Sequence, residues 1–208
     1  EAFGDTDLVI EAIAEIIDEK DAFYSSIRDI LPQQTILCTN SSTLLPSAMM
    51  GFTGREDRFL ALHFANNIWK NNTAEVMGTP KTSEESYEAV VEFARAIGMI
   101  ALELKKEQPG YLLNSMLVPF LNSAEALLAN GVADVETIDA AWTLGTGAPL
   151  GPFRILDIVG LTTAYNIVAA SPAAQDPDST AGRIEAVLKQ HIDEGKTGIN
   201  AGEGFYKY

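Results

Sequence analysis

Among 208 residues there are two histidines, and their surroundings differ. His63 sits near the end of the apolar run Leu60–Phe64 (LALHF), just ahead of the polar cluster Asn66-Asn67 and Lys70-Asn71-Asn72. An imidazole exchanges a proton near neutral pH. The carboxyl end of a strand is where open α/β sheets place their ligands. Position alone leaves two readings open, a general base or a buried histidine satisfied by one hydrogen bond. Glu75 follows twelve positions later inside the apolar run Thr73–Met77. A carboxylate in a buried strand is costly unless paired. If the two strands are neighbours, Glu75 can hold one ring nitrogen of His63, fix its tautomer and leave the other nitrogen to accept a proton. The competing reading is a solvent-facing glutamate on an edge strand.

Other candidates are less specific. Ser41, Ser42 and Thr43 follow the run 35–39, where hydroxyls either meet a ligand or cap a helix predicted to start near Leu44, with Pro46 in its first turn. Asn114 lies near the start of an apolar helix, where a buried amide needs a partner. His191, in the polar stretch KQHIDEG, reads as a solvated helix-end residue. One cysteine, Cys38, and two distant histidines make no metal set. No G-x-S-x-G elbow and no G-x-G-x-x-G occur. Spacing thus reaches a general base at the end of an α/β sheet.

The elements that must position these residues change character along the chain. Asp7–Ala12 (DLVIEA), Thr35–Thr39 (TILCT), Phe59–Phe64, Thr73–Met77 and Met99–Leu104 (MIALEL) are apolar runs of strand length. Ile16, Lys20, Phe23, Ile27 and Ile30 recur at helical spacing between the first two, and Pro32 ends that pattern. Thr82 with Glu85 reads as a capping box for a helix with the stripe Tyr87, Val90, Val91, Ala94 and Ile97, stopped by Gly98. Beyond Gly110 the strand runs vanish, and helices are predicted over 111–130, 134–145, 152–171 and 180–194. The first of these is apolar enough to be read as buried on most sides. The expected fold is α/β followed by all-α, with domains at 1–108 and 109–208. A parallel sheet with no glycine-rich phosphate loop before it reads as the second half of a larger unit.

Composition narrows the function classes. Apolar residues are 47% and charged residues 21%, which fits a folded globular chain. The net charge of −15 argues against nucleic-acid binding and against anionic lipid surfaces. Asn114, Asn122 and Glu125 interrupt the longest apolar stretch, so no membrane span is expected. With no secretory leader visible and a single cysteine, a cytoplasmic location is expected.

Taken in order, DLVIEAIAE, the NSST loop, LHFANN, TAEVM, PGYLLN, GAPLGPFRILDIVGL and the terminal GEGFYKY resemble the L-3-hydroxyacyl-CoA dehydrogenase family over nearly the whole chain. The resemblance implies a partial Rossmann-like doubly wound sheet and a helical C-terminal substrate and dimerisation domain. It implies NAD-dependent oxidation of L-3-hydroxyacyl-CoA to 3-ketoacyl-CoA in fatty acid metabolism, with 3-hydroxybutyryl-CoA one subtype it admits. Carried onto matching positions, His63 is the general base and Glu75 orients it. Ser42 and Asn114 bond the substrate, while Glu15, Lys20, Ser42 and Asn66 meet NAD. The partners implied are an acyl-CoA and a second copy of the chain in a homodimer. The sequence departs from the family's His-Phe-Phe-Asn-Pro with His63-Phe64-Ala65-Asn66-Asn67, and a basic residue before the terminal motif is replaced by Asn200. Two alternative readings accompany this one: a catalytically inactive truncated fragment acting as a helical dimerisation module, and a hydroxyacid dehydrogenase for a substrate without CoA; the chain by itself is expected to bind NAD weakly or not at all.

Overall fold

The computed structural model describes residues 4–208. Its chain forms two compact units, one ending at Ser115 and the other running Met116–Tyr208.

In the first unit, β1 (Leu8–Glu11), β2 (Ile36–Thr39), β3 (Phe59–Phe64), β4 (Thr73–Gly78) and β5 (Ile100–Leu104) form one sheet in that order. Pairs β1–β2, β2–β3 and β4–β5 are parallel, whereas β3 and β4 are antiparallel. Side chains alternate across a strand. Leu60 and Leu62 therefore pack with Cys38, Val76 and α2 (Glu84–Ala96) on one face. Leu37 and Phe59 pack with Tyr24 and Ile27 of α1 (Ile17–Ile27) on the other. Helices on both faces make the sheet doubly wound, as expected. His63 belongs to the α1 face with Phe59 and Ala61.

Several local expectations are corrected. The helix expected after Leu44 is only two 3-10 turns, Pro46–Ala48 and Met50–Phe52. Ser41 still acts as a cap would, accepting the Leu44 amide at 2.9 Å. The α2 cap is Ser83, which accepts from the Ser86 amide. Thr82 instead donates to the Phe59 carbonyl at 2.7 Å, tying the turn to β3. Ile16 and Ile30 fall just outside α1 and are exposed, and the buried positions of the helix are Lys20, Tyr24 and Ile27. Lys20 can be buried because it donates to Glu11 Oε1 at 2.7 Å, a carboxylate that Tyr24 and Thr39 also reach.

The second unit is helical: the rest of α3 (Leu113–Ala129), then α4 (Val135–Thr146), α5 (Pro152–Val159), α6 (Leu161–Ala169) and α7 (Thr180–Asp193). The single helix expected over 152–171 is broken at Gly160, whose φ of +94° lies outside helical space. Two buried aspartates organise the unit. Asp139 accepts from the Phe153 amide at 2.8 Å and the Tyr206 hydroxyl at 3.0 Å, capping α5 where Gly151 offers no side chain. Asp157 accepts from the Phe205 and Tyr206 amides at 2.8 and 3.0 Å and from the Tyr208 hydroxyl at 2.8 Å. The motif GAPLGP is thus a capping device, and GEGFYKY a strap pinned to one carboxylate.

α3 is not buried on most sides: Met116 and Leu127 are exposed, and the buried positions are Leu121, Ala124 and Glu125. Glu125 sits among Leu128, Ile184, Val187, Leu188 and Phe205, with Oε1 lacking a partner. Burial pushes this carboxyl up to about 7. A folded value above the unfolded one makes its contribution most favourable below about pH 4.5, and the contribution is lost as pH rises through 7. Replacing Glu125 by leucine therefore stabilises the protein by up to about 3 kcal/mol above pH 8, and little at pH 4. Thermal melts across that range check it; a gain that does not grow with pH would contradict the assignment.

Candidate active site

The strand register brings the two chemical candidates together. His63 on β3 and Glu75 on β4 are directly opposed in the antiparallel ladder, where opposed side chains share a face. The imidazole Nδ1 lies 3.0 Å from Glu75 Oε2, and both residues are buried. β4 lies between β3 and β5, so the solvent-facing reading of Glu75 does not hold. Its other oxygen, Oε1, accepts from the Leu112 and Leu113 amides at 2.8 and 3.0 Å, at the start of α3. These are free donors at a helix N-terminus, the end that favours negative charge. Burial raises the Glu75 carboxyl, but the His63 bond and the Leu113 and Leu112 amides outweigh it, leaving the group below its usual range. An ionised Glu75 can only accept, so the hydrogen-bond network assigns the ring proton to Nδ1. Nε2 makes no hydrogen bond among the described residues.

Glu75→Gln tests this arrangement. An amide cannot accept from the ring and from two backbone donors at once, so kcat falls by about tenfold to a hundredfold. The lowered carboxyl also contributes stability above the unfolded pKa that is lost as pH falls through the folded value. The glutamine variant therefore melts lower than wild type at pH 7, and the two converge in acid. A variant with wild-type kcat and melting would remove Glu75 from this role.

The remaining sequence-derived candidates lie in four settings. Glu15 accepts from the Ser41 hydroxyl at 2.9 Å and the Ser42 amide at 2.5 Å, holding the loop after β2 to the segment after β1. The Ser42 hydroxyl and the Asn114 amide, both half-buried, make no hydrogen bond among the described residues. Asn66 is exposed, its carbonyl accepting from the Asn71 side chain at 2.8 Å. Lys20 is only 1% exposed, its ammonium held by Glu11 with Glu15 3.8 Å away, so it presents no free charge. Sequence reasoning missed four contributors. Tyr111 packs its ring on the His63 imidazole with centroids 4.6 Å apart, and only its place after Pro109-Gly110 could have drawn attention to it. Glu11 was hidden inside an apolar run. The Leu112 and Leu113 amides are backbone groups without a sequence signal.

These donors fit one end of a nicotinamide cofactor. The Ser42 hydroxyl after β2, Nε2 of His63 near the end of β3 and the Asn114 amide at the start of α3 keep hydrogen-bonding capacity among the described residues, suited to the carboxamide of a nicotinamide ring and an alcohol. A diphosphate is not provided for, since no glycine-rich turn occurs and the Lys20 charge is already neutralised. Among the described residues no three His, Cys, Asp or Glu side chains could hold a metal ion, and no helix is long and apolar enough to cross a membrane.

Residues 1–108 match the family model for the 3-hydroxyacyl-CoA dehydrogenase NAD binding domain, and residues 110–208 that for its C-terminal domain. The human mitochondrial hydroxyacyl-coenzyme A dehydrogenase is 38% identical over 203 residues, covering 98% of this chain and 64% of the relative. A probable 3-hydroxybutyryl-CoA dehydrogenase of Deinococcus radiodurans is 33% identical over 99% of the chain and 73% of its own length. Among solved structures, a diketoreductase described as acting on dicarbonyl compounds superposes with a TM-score of 0.92 at 58% identity, covering 98% of this chain and 70% of that one. The (S)-3-hydroxybutyryl-CoA dehydrogenase of Ralstonia eutropha does so with a TM-score of 0.83 at 29% identity, over 98% and 71%. The chain spans 64% of the length of the mitochondrial relative, and on both its parts it belongs to the 3-hydroxyacyl-CoA dehydrogenase family.

Proposed function

We propose that the protein containing this chain interconverts a 3-hydroxyacyl compound and its 3-keto form with NAD, His63 acting as the general base. The observation that carries the reading is the register-paired His63–Glu75 contact with Nε2 left free. In the oxidative direction Nε2 takes the proton of the substrate hydroxyl, while Glu75 holds Nδ1–H and stabilises the resulting imidazolium. Bound NAD supplies the hydride acceptor. The Ser42 hydroxyl and Asn114 amide orient the substrate oxygen, and Glu15 and Asn66 border the cofactor side. Lys20 acts through Glu11, keeping the end of β1 in place. The matching domains, 1–108 for the nucleotide and 109–208 for substrate and dimer contacts, belong to this reading. So do a homodimer, a cytoplasmic location and a place in fatty acid oxidation.

The family's substrate, an acyl-CoA, is the first reading. A substrate without CoA is the second, favoured by 58% identity to the diketoreductase against 29% to the Ralstonia CoA enzyme. The replacement of Phe-Asn-Pro by Ala65-Asn66-Asn67 beside His63 supports it too. NADH oxidation by the full protein, with acetoacetyl-CoA in one assay and ethyl acetoacetate in another, tests both. A higher kcat/KM for the thioester selects the first reading, and activity with the free ester alone the second. A folded protein active on neither loses the dehydrogenase reading and becomes an interaction module.

A further inference from the structure

Tyr111 brings three features to the site that the proposed reaction does not use. Its ring lies on the His63 imidazole, planes 31° apart at a centroid separation of 4.6 Å. Its backbone φ is +54°, directly after Gly110 at +76°. A residue with a side chain stays in that region only where its surroundings over-determine it. Its hydroxyl is buried without a hydrogen-bond partner, in a cluster with Ala61, Met77 and Leu104. A strained turn and an unsatisfied hydroxyl both oppose this placement, and ordinary core packing would be better served by a residue free of either. The same turn delivers the Leu112 and Leu113 amides to Glu75, so one short segment grips both members of the pair.

We propose that Tyr111 is a positioning residue for His63: its ring face fixes the imidazole plane and favours the protonated ring. This rests on the reading of His63 as general base. An aromatic face attracts a cation lying over it, so the stack strengthens as the imidazole gains its proton. The charged groups around the stack are Glu75 on β4, Glu11 at the end of β1, Glu15 in the segment after it, and Glu107 after β5. Burial and these carboxylates hold the phenol above its usual range, so it stays neutral.

The test compares Tyr111→Phe and Tyr111→Leu in the full protein, by pH-dependent kinetics of alcohol oxidation. Phenylalanine keeps the ring and removes only the unsatisfied hydroxyl. Its kcat stays within about twofold of wild type and its melting temperature does not fall. Leucine removes the face: kcat drops about tenfold, KM for NAD changes less than about twofold, and the low-pH limb of kcat/KM moves down by about half a unit. Should the leucine variant not melt cooperatively, Tyr111→Met carries the same expectation. A leucine or methionine variant with wild-type kcat and limb overturns the proposal. So does a phenylalanine variant as impaired as leucine, which would assign the effect to the hydroxyl. His63→Gln in the same assay separates the two levels of argument. If it is active, the general-base reading has failed; if it is inactive while Tyr111→Leu matches wild type, only the role of Tyr111 has.

Discussion

Replacing His63 by glutamine lowers kcat for alcohol oxidation by about 10²–10⁴-fold while the protein melts within a few degrees of wild type. The two halves of this expectation come from different features. Glutamine has a similar reach and can donate its amide to Glu75 Oε2, so the acceptor of the 3.0 Å bond stays satisfied in a buried strand. It cannot take up a proton at neutral pH, so the hydroxyl must lose its proton to water. Binding should change little, because the groups read as holding cofactor and substrate lie on other elements: Ser42 after β2 and Asn114 at the start of α3. The diagnostic result is a loss in kcat and kcat/KM together, with KM steady. Wild-type turnover in a folded glutamine variant would remove His63 from catalysis.

The largest stability effect is expected far from that chemistry, at Asp157. This side chain is 1% exposed and receives two backbone amides and one tyrosine hydroxyl from residues 205–208. Asp157→Ala leaves the Phe205 and Tyr206 amides buried without an acceptor and opens a void, costing about 3–5 kcal/mol. For a chain of this size the melting temperature falls on the order of 10 °C. Gly204→Ala reaches the same contact sterically, since an added Cβ would lie 2.0 Å from Asp157 Oδ1. Calorimetry on both variants checks the assignment, and melting within 2 °C of wild type, roughly half a kcal/mol, would show that the strap is dispensable.

What the sequence disclosed follows from how local each signal is. The five strands were legible because each is a short apolar run between polar breaks. The His63–Glu75 contact followed from placing two of those runs side by side. The kink at Gly160 was not legible, since the apolar pattern of 152–171 continues through it and only a backbone angle marks the break. The shift of the α2 cap from Thr82 to Ser83 depended on the Phe59 carbonyl claiming the Thr82 hydroxyl, a contact 23 residues away in sequence. Lys20 suited a cofactor's anion until Glu11 took its charge. The motifs GAPLGP and GEGFYKY identify the family well, yet the aspartates they serve are structural.

The antiparallel pairing of β3 with β4 has one more consequence. His63 and Glu75 are held by ladder hydrogen bonds on either strand, and the segment 65–72 that joins them closes the hairpin without setting their register. Doubling such a closing segment costs about 0.6 kcal/mol, little beside the stability of the sheet. Residues 67–72, with exposed Trp69 and Lys70, can therefore be exchanged or lengthened while His63 and Glu75 stay in register. Within one hairpin the geometry of the pair is thus set by the stem, and the tip can change without disturbing it.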